Sequence, residues 1–61
     1  MTAIRRYRKM LGMTQGELAA KLGLTQAAIS RIETGDRKPD VDDLIAIARF
    51  FGCKVDDLID K

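Results

Sequence analysis

Between Met13 and Gly35 the chain reads "MTQGELAAKLGLTQAAISRIETG". Two helical segments, 15–22 and 26–34, are marked here with a start and a stop each. Thr14 and Glu17 have capping-box spacing, with Met13 and Leu18 as the flanking hydrophobic staple. Thr25 is placed to cap the second segment, with Leu24 and Ile29 as its staple. Only the few residues around Gly23 separate the two segments. So short a link forces two helices to cross steeply and pack closely, as in a helix-turn-helix. Close crossing calls for a small residue on the first helix, which is Ala19. The turn calls for a residue that tolerates positive φ, which is Gly23. Ile29 and Ile32 then supply the buried side of the second helix.

The rest of the chain is helical by the same signals. Gly12, Gly23, Gly35 and Gly52 each follow an apolar-periodic segment, where a helix stop is expected, whereas Gly16 sits near a helix start. Asp40 follows Pro39 and can cap a further helix, with Asp42 and Asp43 favoured by the dipole in its first turn. The spacing predicts helices over 2–11, 15–22, 26–34, 41–51 and 55–59, with no strand signal and no repeat. A single all-α domain spanning 1–61 follows. Its core is expected from Ile4, Tyr7 and Leu11; Leu18, Ala19 and Leu22; Ile29 and Ile32; Leu44, Ile47, Ala48 and Phe51; and Val55 and Leu58. Cys53 reads as a small hydrophobe, and Met10, Met13 and the two Phe as filler.

Composition removes several function classes. Histidine is absent and Cys53 is the single cysteine, so no zinc site, internal disulfide or nucleophile–base pair can be assembled. No enzymatic activity, metal or cofactor is expected. The acidic run at 40–43 reads as a helix start, and Asp56, Asp57 and Asp60 as a solvated face. No apolar run approaches the ~20 residues of a membrane span, and no signal-peptide pattern is present. The cytoplasm is the expected compartment. Charge is unevenly spread: residues 1–38 carry a net +5 and residues 39–61 a net −3. A basic front of this kind suits a polyanionic partner.

The segment 26–34 says which face meets that partner. At about 100° per residue, Ile29 and Ile32 define a buried side, and Ala27, Ser30, Arg31 and Thr34 point away from it, with Gln26 at the flank of the first turn. Small residues let a helix backbone sink close to a surface. Arg can form two hydrogen bonds to guanine, Gln two to adenine, and Ala or Thr methyls can touch a thymine methyl. The face is shaped to enter a DNA major groove. The same wheel puts Glu33 on the core side, where an unpaired carboxylate would be costly.

The stretch "MTQGELAAKLGLTQAAISRIETGDRKP" resembles the Cro/repressor-type helix-turn-helix family, also called the XRE family. The resemblance extends through "IRRYRK" before it and "LIAIARFFGCKVDDLI" after it, covering nearly the whole chain. It implies a compact five-helix, lambda-repressor-like DNA-binding domain. It further implies base contacts from Gln26, Ala27, Ser30 and Arg31. Backbone contacts would come from Gln15, which would also brace Gln26, and from Thr25, Thr34, Gly35, Arg37 and Lys38. Arg8 would pair with Glu33, tying the first helix to the recognition helix. Ala27 and Ala28 are smaller than the polar readers of some relatives, which places direct readout on Gln26 and Arg31. Arg5, Arg6 and Lys9 are less expected at DNA, because part of the first helix faces away in this fold.

The expected function is a bacterial or phage transcriptional regulator, a repressor, binding double-stranded DNA as a homodimer on a two-fold operator. Phe50, Phe51, Val55 and Ile59 are the candidate dimer contacts, because Phe50 and Ile59 look surplus to one core. The alternative is an antitoxin or other protein-interaction module on the same scaffold. The intact polar face and basic loop argue against a module that has lost DNA binding.

Overall fold

The computed structural model describes residues 1–59, so Asp60 and Lys61 lie outside it. Five helices follow one another: α1 (Thr2–Met10), α2 (Gln15–Leu22), α3 (Gln26–Thr34), α4 (Val41–Phe51) and α5 (Val55–Leu58). Among the described residues there is no strand, and no helix is long and apolar enough to cross a membrane.

The caps sit where the sequence puts them. Thr14 Oγ1 accepts from the Glu17 amide and Glu17 Oε1 accepts from the Thr14 amide, both at 3.1 Å. Thr25 Oγ1 accepts from the Ala28 amide at 3.1 Å, and Asp40 Oδ1 from the Asp43 amide at 2.8 Å. Each bond satisfies an amide that the first turn of a helix leaves without an intrahelical partner. α2 ends at Gly23, whose φ of 70° lets the Leu24 amide reach back to the Ala19 carbonyl at 2.9 Å. That reversal reduces the link between α2 and α3 to three residues.

Ile4, Leu18, Ala19, Ile29, Ile32, Ile47, Ala48 and Leu58 form the buried cluster, so every helix contributes to one core. Tyr7, Leu22, Leu44, Phe51 and Val55 are half-buried and pack around it. Tyr7 stacks on Phe51 with ring centroids 5.3 Å apart, joining α1 to α4. Leu11 departs from expectation: it is 56% exposed. The helix stops at Met10, and Leu11 lies in the turn before Gly12, off the apolar face of α1. Ala3 and Ala28 are buried although neither was counted in the core. Each is small enough to sit where a neighbouring helix comes close.

Two glycines should respond oppositely to the same substitution. Gly23→Ala places a Cβ at φ 70° and should destabilise by about 1 kcal/mol or more. In a domain of this size that lowers Tm by about 4–8 °C. Gly16 lies inside α2, and an added Cβ would meet Gln26 Oε1 and Thr14 Oγ1 at an unstrained 3.9 Å. Gly16→Ala should therefore raise Tm, by about 0.5–1 kcal/mol in stability. Thermal denaturation followed by circular dichroism checks both signs.

Candidate nucleic-acid interface

α3 is amphipathic in an unusual way. Ala28, Ile29, Ile32 and Glu33 are buried. Gln26, Ala27, Arg31 and Thr34 are exposed, and Ser30 is half-buried. The structure thus brings Gln26, Ala27, Ser30, Arg31 and Thr34 together on the side away from the core. Arg31 has no carboxylate partner among the described residues, so its five donors remain for a ligand. Gln26 starts the helix and lies near Gly16, at the first turn of α2.

The position of α3 is fixed by one buried polar network. Arg8 Nε donates to Glu33 Oε2 at 2.7 Å and Arg8 Nη2 to Glu33 Oε1 at 3.0 Å. Arg8 Nη1 donates to the Met13 carbonyl at 2.8 Å, and Gln15 Nε2 donates to Glu33 Oε1 at 3.1 Å. One carboxylate on α3 therefore gathers α1, the α1–α2 turn and the start of α2. No buried side-chain N or O among the described residues is left without a partner. Burial alone would push the Glu33 carboxyl up, but the hydrogen bonds from Arg8 and Gln15 and the charges of Arg8 and Arg5 outweigh it, so its pKa is lowered. The Glu33 hydrogen bond, working against burial, raises the pKa of Arg8.

In the free chain the Gln15 amide nitrogen is turned to Glu33, a bond the sequence did not point to. The buried carboxylate is the stronger acceptor, because charged hydrogen bonds outweigh neutral ones. Beyond the C-terminus of α3, Gly35 adopts φ 90°, and the Arg37 amide bonds back to the Arg31 carbonyl at 3.1 Å. Arg37 Nη2 stands 3.9 Å from Asp43 Oδ2, a loose and largely exposed contact, and Lys38 is exposed beside it. Thr25 is exposed although its oxygen serves as the helix cap. The Arg37–Asp43 contact was not foreseen, since no sequence signal sets the path of the loop between α3 and α4.

The candidate dimer residues divide in the structure. Phe51 and Val55 pack against the core. Phe50 rests edge-on against Phe51 and is 36% exposed, and Ile59 is 47% exposed. Val41, at 70%, and Ile45, at 38%, are also exposed apolar positions of α4. Sequence periodicity did not single them out.

Two measurements test the network. Glu33→Ala should cost about 3 kcal/mol, because it strands a buried guanidinium, whereas the paired change Arg8→Met with Glu33→Leu should restore most of the loss. Equal melting temperatures for wild type and Glu33→Ala would refute the tie. The pKa of Glu33 is lowered in the folded chain, so the stability it contributes is complete above the ordinary carboxylate range. It is lost as pH falls through the lowered value. Denaturation as a function of pH should show that acid loss in the wild type and a shallower one in Glu33→Gln.

A family model for the helix-turn-helix matches residues 4–58. An uncharacterised HTH-type transcriptional regulator of Methanocaldococcus jannaschii is 40% identical over 52 residues, covering 85% of this chain and 79% of its own. A second such regulator, from Archaeoglobus fulgidus, is 40% identical over 57 residues, covering 93% and 81%. Among solved structures, the P22 c2 repressor protein in complex with a synthetic operator superposes with a TM-score of 0.86 at 32% identity. That match covers 92% of this chain and 85% of the repressor chain. With five helices in this order and a match across nearly its whole length, the chain belongs to the XRE-type helix-turn-helix family.

Proposed function

We propose that this chain is a sequence-specific DNA-binding transcriptional regulator that inserts α3 into the major groove, and that it acts as a repressor. The observation that carries the reading is the outward face of α3, where Gln26, Ala27, Ser30 and Arg31 stand on a helix whose opposite side is wholly buried. Gln26 and Arg31 are the base readers, and Ala27 and Ser30 permit close approach. Gln15, Thr25, Thr34, Gly35, Arg37 and Lys38 flank this face and hold the DNA backbone. The likeness to a repressor solved on its operator supports the same docking.

One recognition helix spans only a few base pairs, so the chain works as a homodimer on half-sites ~34 Å apart or a multiple of that. Phe50 and Ile59 are the exposed members of the expected contact, with Phe51 and Val55 as support behind them. The Ile59 side chain also lines a groove of about 400 Å³ with Lys38, Pro39 and Leu44. An apolar groove beside exposed aliphatic residues suits a second copy.

Selection from a random duplex library should return a two-fold-symmetric motif. On that motif Arg31→Ala should cost about 1–3 kcal/mol and relax one base position. An equal loss on every sequence would make Arg31 a phosphate contact instead. Sedimentation should show a dimer on the operator, and Ile59→Asp should weaken it. A monomer at high concentration, with and without DNA, would remove the dimer. A wild-type chain that recovers no motif but captures a stable protein partner would favour the antitoxin reading.

A further inference from the structure

We propose that Asp43 is an internal stand-in for a DNA phosphate: it attracts Arg37 in the free chain and so lowers the affinity for duplex DNA without altering which sequence is read. The inference rests on the DNA-binding reading, in which Arg37 holds the backbone, and adds to it a carboxylate that works against that contact.

Arg37 and Asp43 are brought together by main chain that is anchored at both ends. The Arg37 amide donates to the Arg31 carbonyl at 3.1 Å, which folds the loop back onto the end of α3. The Asp43 amide donates to Asp40 Oδ1 at 2.8 Å, in the first turn of α4. Between these anchors Arg37 Nη2 stands 3.9 Å from Asp43 Oδ2, with the arginine side chain 45% exposed and the aspartate side chain 21%. At that separation the charges attract but no hydrogen bond forms. Asp43 therefore neutralises the guanidinium in part without occupying its donors.

That combination decides the sign of the effect. A carboxylate hydrogen-bonded to an arginine fixes the orientation of its donors and readies them for a phosphate. A carboxylate that only attracts gives no such alignment. Its attraction is weakened when Arg37 turns to a phosphate, and its charge then repels that phosphate.

The neighbours supply the controls. Asp42 carries the same charge one residue away, is exposed, and forms no ion pair among the described residues. Lys38, next to Arg37, is also exposed and in no ion pair among them. Asp43 thus restrains one of the two cations of this loop and leaves the other available.

The test is duplex binding by the wild type, Asp43→Asn and Asp42→Asn, each also in an Arg37→Ala background. Binding is measured on the selected motif and on a random duplex, over a range of salt and well below the melting temperature of each variant. Asn keeps the size of the side chain and removes its charge. At low salt Asp43→Asn should tighten binding about 1.5- to 5-fold for each bound chain, on both duplexes alike, the range expected of an exposed ion pair. The gain should shrink as salt screens the pair. In the Arg37→Ala background it should fall to the smaller gain that Asp42→Asn gives in either background. Unchanged binding by Asp43→Asn would overturn the proposal. Weaker binding would make the carboxylate an orienting partner of Arg37 and overturn it too. A gain that survives Arg37→Ala in full would be general charge repulsion, and a gain confined to one duplex would be sequence selection; either overturns it. All of these leave the DNA reading in place, whereas a wild type that binds neither duplex would overturn both.

Discussion

The buried pair of Arg8 and Glu33 is the constraint on which the rest of this small structure depends. A carboxylate on the inner side of α3 is costly unless its charge is matched and its lone pairs are filled. The two-point contact from Arg8 does the first, and Gln15 helps with the second. The same guanidinium holds the Met13 carbonyl, at the turn that leads into α2. Ten apolar residues are buried among those described, none larger than Leu or Ile. Apolar packing is indifferent to small slides and rotations, whereas a two-point charged contact is directional. The pair fixes the rotation of α3, and that rotation decides which side chains face outward.

The proposed DNA contacts are arranged around that fixed helix. The base readers lie on its outer face and the basic loop at its C-terminal end. Gln15 joins the buried network to this surface. In the free chain its amide nitrogen serves Glu33, and in the proposed complex it also serves a phosphate. Phosphate contacts of this kind set register and orientation but carry no sequence information, which is left to Gln26 and Arg31.

Much of this was legible in the sequence because the relevant signals are local. Thr14 with Glu17, Thr25, and Asp40 with Asp43 are capping pairs within three residues of each other, and all form as spaced. The outer face of α3 follows from helical periodicity alone. The errors fall where local signals end. Leu11 continues the apolar spacing of α1 but sits in the turn that Gly12 terminates, so it faces solvent. Ala3 and Ala28 carry too little apolar surface to announce themselves, yet both are buried.

The sequence by itself determined where each helix begins and where α2, α3 and α4 end, that one core would form, and which residues α3 would turn outward. These depend on caps, glycine backbone freedom and a 3.6-residue period, all properties of neighbouring residues along the chain. Only the tertiary structure decided that Gln15 would serve Glu33, that Arg37 would stand near Asp43, and that Val41 and Ile45 would stay exposed on α4. Each of these outcomes depends on which of several acceptors or surfaces lies nearest once the helices have packed. That is a matter of distances between segments remote in sequence, and periodicity within one helix carries no information about them.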